Sequence, residues 1–178
     1  MIIVIIIIVI IVLALILLYN HLVELNIRCK NAWAGIDNQL KRRYDLIPNL
    51  VEVTKGYATH ERETLIEVVK TRNDEGTMNE RAKESEEVSN SVKNLLAVAE
   101  NYPDLKANEL FKNLQIELTG TEDKIAFARQ FYNDSVQKYN TAIMSFPNNI
   151  LAKIMNYKEK EYFQVNESEK QTVKVDLK

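Results

Sequence analysis

The chain is poor in the residues that break helices and in those that hold metals. Its 178 residues include only four glycines and three prolines. So few breakers over this length favour a few long helices over many short strands. A single cysteine, Cys29, excludes an intramolecular disulfide. The two histidines are His21 and His60. His60–Glu61 opens like a zinc-protease motif, but that chemistry needs a second histidine four residues after the first, and position 64 is Thr. No G-x-S-x-G, P-loop, glycine-rich phosphate loop or Cys/His cluster is present. Catalytic, cofactor and metal residues are therefore all assigned as none, and the chain reads as a non-enzyme. A basic excess is missing too. Lys and Arg number 23 against 25 Asp and Glu, a formal charge of −2. A surface built to neutralise nucleic-acid phosphates has the opposite balance, so no nucleic-acid partner is expected.

What the chain has in quantity is apolar residues at its start. Ile2 to Leu18 contains no polar side chain. Those seventeen residues, at about 1.5 Å each, give roughly 26 Å of helix. That is just under the ~30 Å hydrocarbon core of a bilayer, and Tyr19 adds an interfacial aromatic. No basic residue precedes the run and no A-x-A-like site follows it, which argues for an uncleaved anchor over a signal peptide. Residues 2–19 are assigned to the lipid bilayer. The span has no small-xxx-small pair of the kind that drives tight helix dimers.

Beyond the span the helical period continues. Leu22 and Leu25 lead into Cys29, Ala32, Trp33, Ile36, Leu40 and Tyr44, at steps of three and four. Cys29 on this stripe reads as a buried small hydrophobe, with a reactive or intermolecular thiol as the alternative. Pro48 disfavours the α region at Ile47, so a break or sharp kink is expected at Asp45–Pro48. A second helix, Pro48 to about Asp74, then carries Leu50, Val51, Thr54, Ala58, Leu65, Val68 and Val69. Glu75–Asn79 reads as its turn. A third helix, about Glu80–Asn101, has the stripe Val88, Val92, Leu95/Leu96, Ala99 and Tyr102, and its opening ERAKESEE reads as a solvated charged face. Tyr102–Pro103–Asp104 is the next turn. The fourth helix, about Ala107–Ser145, repeats Phe111, Leu118, Ile125, Tyr132, Tyr139 and Phe146 every seventh residue. Leu114, Thr121, Ala128, Ser135 and Ala142 lie between. Gly120 marks a candidate bend. A short last helix, Asn148–Tyr157, precedes a polar tail, 158–178, in which Tyr162, Phe163 and Val165 are the candidate docking points.

Two features invite a binding role. Lys41, Arg42 and Arg43 form the densest basic run. It reads either as a site for anionic lipid or an acidic partner, or as an internal network paired with Asp45, Asp37 or Glu52. Asn133 and Asn140, each following a tyrosine, lie seven residues apart on one helix face. They read as register-fixing residues beside the seam, or as a ladder for a partner.

The run AWAGIDNQLKRRYDLIPNLVEVTKGYATHE at residues 32–61 closely resembles the LemA family of bacterial membrane proteins. ELTGTEDKIAFARQFYNDSVQKYN and the Phe146–Pro147 pair are also similar to that family. The resemblance implies an inner-membrane protein, linked to membrane-associated assemblies and membrane quality control, and brings no reaction with it.

The expectation is all-α: an anchor over 1–19 continuing into an elongated antiparallel bundle of about four long helices over 20–157. The function read from it is a membrane-anchored scaffold or adaptor, self-assembling into homo-oligomers or binding other membrane proteins. The alternative is an anionic-lipid or ligand module at Lys41–Arg43. Arg28 and Lys30, with Lys41–Arg43 beyond, all follow the span, so the N-terminus is expected outside and the body in the cytoplasm. The sequons at Asn133 and Asn166 would then stay unmodified.

Overall fold

The computed structural model describes residues 1–57 and 78–164. Every regular element among them is a helix. These are α1 (Ile2–Lys55), α2 (Met78–Ala99), α3 (Pro103–Ala107), α4 (Glu109–Met144) and α5 (Asn148–Ile154). The expected residues Ala58, His60, Leu65, Val68, Val69 and Val165, the turn around Gly76 and the Asn166 sequon lie outside the described residues.

The expected break at Pro48 does not occur. Pro48 lies inside α1, which ends only at Lys55. Proline removes the N–H that would bond the Tyr44 carbonyl, at a cost of about 3 kcal/mol. The neighbours Ile47, Leu50 and Val51 are all buried. Each such side chain gains roughly 1.5–3 kcal/mol, so packing on both sides of Pro48 outweighs the local preference. The start of the expected second helix is thus the end of the first.

The contacts divide the chain into two units, Met1–Ile36 with Phe127–Tyr162, and Asp37–Ala126 with Phe163–Lys178. In the first unit, every side chain from Met1 to Leu17 is exposed, all round the helix. The stripe then begins to bury: Leu22, Cys29, Ala32 and Ile36 are covered, as are Tyr132, Val136, Tyr139 and Ile143 of α4. The two helices run antiparallel. The Trp33 ring meets Tyr132 edge-on at 5.5 Å, and Cys29, one turn earlier, lies within electrostatic reach of Tyr139, two turns later. α5 buries Ala152. It closes with Asn156 in the left-handed region, φ 54°. There the Tyr157 amide bonds the Ala152 carbonyl and the Asn156 amide that of Lys153, a Schellman cap with asparagine in the usual glycine position.

In the second unit, Ile47, Leu50 and Val51 of α1 share a core with Val88, Val92, Leu95 and Ala99 of α2, Leu105 of α3, and Phe111, Leu114 and Leu118 of α4. α2 runs parallel to α1, since Asp37 pairs with Arg81 and Arg43 with Ser85 and Ser89. α4 runs against both, from Asn108 beside Tyr57 to Glu122 beside Arg43 and Ser89. α2 begins at Met78, so Asn79 is helical where a turn was expected. The 102–104 turn becomes α3, with Pro103 at its first position, where a missing N–H costs nothing.

The seven-residue repeat of α4 is buried at Phe111, Leu118, Ile125, Tyr132 and Tyr139. It fails at Phe146, which is 80% exposed because α4 has ended at Met144. Gly120 does not interrupt the helix.

Candidate functional site

Two clusters of buried polar side chains stand out, one in each unit. The first surrounds Arg43, whose side chain is fully covered. Its position follows from the α1 stripe: seven residues after Ile36 and seven before Leu50, it faces the seam. One terminal nitrogen donates to Ser89 Oγ at 2.8 Å and Glu122 Oε1 at 3.2 Å. The other donates to Ser85 Oγ at 3.0 Å. Ser89 Oγ lies 3.0 Å from both Glu122 Oε2 and the Ser85 carbonyl, either of which can take its proton. Arg43 thereby ties α1 to α2 and α4. Next to it the Tyr44 hydroxyl donates to Glu84 at 3.0 Å, and the guanidinium stands 5.8 Å from the Tyr44 ring centroid. Burial, then the neighbouring Glu84 carboxylate, pushes the Tyr44 hydroxyl up to about 12.

This geometry corrects two expectations. The partners of the basic run are not Asp45, Asp37 and Glu52. Arg43 pairs with Glu122 and Arg42 with Glu117, while Asp37 pairs with Arg81 at 2.7 Å. Asp45, two residues from Arg43, points about 200° away round the helix and into solvent. The opening of α2 is also more than a solvated face. Ala82 and Ser85 are buried, and Arg81, Glu84 and Ser85 all bind α1. The signal was available, since Ser85 continues the step of three and four back from Val92 and Val88. Of the three basic residues, Lys41 and Arg42 are exposed and Arg43 is internal, so the run is not one surface patch.

The second cluster belongs to the first unit. Residues 158–161 form no helix, and α4 side chains bond their backbone groups. The Tyr139 hydroxyl donates to the Lys158 carbonyl at 3.1 Å, and that of Tyr132 to the Glu161 carbonyl at 3.1 Å. The Asn140 amide donates to the Lys160 carbonyl while its oxygen accepts from the Lys160 N–H, both at 2.9 Å. Asn140 is thus buried and clamps an extended segment, whereas Asn133 is half-buried. Tyr157 packs edge-on against Tyr139, and the Lys160 ammonium stands 5.1 Å from the Tyr139 centroid. Burial raises the Tyr139 hydroxyl. Burial, with Cys29 and Glu161 adding, pushes Tyr132 up to about 12. Cys29 is buried, and its thiol is raised by burial against the opposing pull of Lys160 and Arg28. A thiol so placed is a poor nucleophile.

Among the described residues no group of three or more His, Cys, Asp or Glu side chains could hold a metal ion. His21 is exposed beside the span.

A sequence profile described as the LemA family matches residues 32–177. A relative named magnetosome protein MamQ 1, from Paramagnetospirillum magneticum, is 39% identical over 75 residues, 42% of this chain and 28% of the relative. MamQ of Magnetospirillum gryphiswaldense is 36% identical over 74 residues, 42% of this chain and 27% of the relative. A protein named LemA, from Metamycoplasma hominis, is 25% identical over 155 residues, 85% of this chain and 71% of its own length. The matched stretch thus covers under a third of the MamQ relatives.

Proposed function

The chain belongs to the LemA family, and from that premise we propose that it is a non-enzymatic, membrane-anchored helical scaffold or adaptor. It acts by assembling with copies of itself or by presenting its helical body to other membrane proteins. The observation that carries this reading is α1. Its apolar start, exposed on all sides, and its buried body stripe belong to one helix with no break. A span joined to a body in this way transmits position without a flexible linker. The buried polar side chains support the reading as well. Arg43, Tyr132, Tyr139 and Asn140 are engaged in ties between segments of the chain itself. The names of the relatives, magnetosome protein and LemA, carry no reaction. The orientation follows from Arg28 and Lys30 after the span, with the N-terminus outside and the body on the cytoplasmic face of the inner membrane.

Size analysis of the full chain in mild detergent, with and without acidic lipid, tests the proposal. Discrete species larger than a monomer, or captured membrane proteins that co-elute after affinity capture, are expected. A monomer that captures no membrane protein refutes the scaffold, and a monomer that shifts only on adding acidic lipid favours a lipid-binding module at Lys41 and Arg42. Orientation is read by Lys112→Cys, an exposed position, in a Cys29→Ala background. Labelling by an impermeant maleimide in intact cells would reverse the assignment.

A further inference from the structure

The corner formed by the end of α4 and by α5 exposes an apolar face that the first unit does not cover. Phe146, Ile150 and Ile154, at steps of four, are 80%, 55% and 77% exposed. Met144 and Met155 flank them, also exposed. On the other side α5 buries Ala152. This is an amphipathic surface whose apolar side has no partner among the described residues.

The helix register sets this corner level with the body-side end of the span. Trp33 and Tyr132 are in contact. Leu22 lies eleven residues before Trp33, and Ile143 eleven after Tyr132, so the antiparallel helices bring them level, about 16 Å along. Leu22 and Ile143 are both buried; Tyr19, about one turn before Leu22, is exposed, and α4 ends at the exposed Met144, one residue after Ile143. Packing between the two helices therefore ends where the apolar span begins. Phe146 and α5 follow within a few residues of that level.

We propose that this corner docks into the headgroup region of the leaflet from which α1 emerges, with Phe146, Ile150 and Ile154 inserted among the acyl chains. The inference rests on reading the start of α1 as a membrane span. Two observations favour lipid over a protein partner. By helix register the face begins level with the body-side end of the span. Its nearest charges are also mainly basic: Lys153 and Lys158 stand at its edge with Glu159 the one acidic residue beside them. Lys153 and Lys158 are exposed beside the apolar face. An interfacial helix buries an apolar side and sets lysines against anionic headgroups.

The test uses the full chain with Cys29→Ala, in vesicles of phosphatidylcholine and phosphatidylglycerol. Nitroxide labels are placed singly at Ile10→Cys, Ile150→Cys, Ile154→Cys and, as a solvent reference, Lys112→Cys. Collision with oxygen and with a water-soluble nickel chelate is compared by power saturation. Labels at 150 and 154 are expected to favour oxygen over nickel several-fold relative to 112, with position 10 further in the same direction. If 150 and 154 match 112 while position 10 reads as lipid, the span stands and the docking proposal falls. If position 10 also matches 112, the span reading fails and takes the proposal with it. Spectral broadening at 150 and 154 that vanishes on dilution with unlabelled protein would assign the face to a second copy and overturn the proposal.

Discussion

Removing Arg43 should cost the second unit more stability than any surface charge could. The guanidinium is fully buried and donates three hydrogen bonds, to Ser85, Ser89 and Glu122. Losing one partner of a buried ion pair costs roughly 3–5 kcal/mol, because the other is left uncompensated. Here that other group is Glu122, whose side chain is 33% exposed. It can recover hydration, which moves the expectation for Arg43→Ala to the low end, about 3 kcal/mol. Arg43→Met keeps the stem against the seam and should cost less, about 2 kcal/mol. Arg43→Lys should not rescue, since one ammonium cannot reproduce the planar fork that spans α2 and α4. The assay is thermal unfolding of the full chain in mild detergent by circular dichroism. At roughly 2–4 °C per kcal/mol for a chain of this size, Arg43→Ala should lower the midpoint by about 6–12 °C. A cycle with Glu122→Ala isolates the pair, with a coupling of about 1–2 kcal/mol expected. A single mutant within about 0.5 kcal/mol of the parent, the range of ordinary surface substitutions, or a strictly additive double mutant, would refute a structural role for Arg43.

Further outcomes follow from the same reasoning. Asn140→Leu should cost roughly 2–4 kcal/mol by leaving the Lys160 N–H and carbonyl unpaired, and amide exchange at Lys160 should quicken; unchanged exchange would mean the clamp does not form in solution. Tyr132→Phe should cost only about 1 kcal/mol, the net value of one hydrogen bond. Gly120→Ala should stabilise by about 1 kcal/mol, because a Cβ there meets nothing within 4 Å; a fall in midpoint would refute this. Alkaline titration should find Tyr44 and Tyr132 ionising late. Burial raises both from 10 to about 12. A folded value above the unfolded one gives stability that is complete below pH 10 and lost towards pH 12, so the unfolding midpoint should drop across that window, and less so in Tyr132→Phe.

The helices were legible because their apolar positions recur at one period. Cys29, Ala32, Ile36 and Leu40 are buried as that period requires, and so are Val88, Val92 and Leu95. Two features were hidden for different physical reasons. Pro48 carries a strong local preference against α geometry, but a local preference of about 3 kcal/mol yields to the tertiary burial of three neighbours. Arg43 reads with Lys41 and Arg42 as a run in the sequence, because adjacency is visible there and orientation is not. Its place between Ile36 and Leu50 on the heptad was the better guide, and the same step would have put Ser85 on the seam of α2. Phe146 errs the other way. The repeat continues in the sequence after the helix has stopped, and the residue that would be a core position becomes an 80% exposed aromatic at the corner before α5.

The change in character along the α4 seam has a single cause, which is what lies opposite. In the second unit the seam residues are Phe111, Leu118 and Ile125, and the elements around them are helices that satisfy their own backbone groups. Apolar side chains suffice there. Thr121, the polar residue between them, bonds back to the Glu117 carbonyl of its own helix and asks nothing of a neighbour. In the first unit the seam also meets residues 158–161, which have no ladder of their own. Carbonyls that packing partly covers are costly without a donor, and at the same heptad positions Tyr132 and Tyr139 supply one. Each ring fills the core as a phenylalanine would, and each hydroxyl reaches a carbonyl beyond it. Asn140 adds what a hydroxyl cannot, a donor and an acceptor set side by side, and grips both backbone groups of Lys160. The polar seam is therefore a fastening for the non-helical segment that follows α5. A segment fastened at Lys158, Lys160 and Glu161 fixes the exit of α5 from just after its cap at Asn156, and so holds Ile150 and Ile154 in place before any bilayer is met.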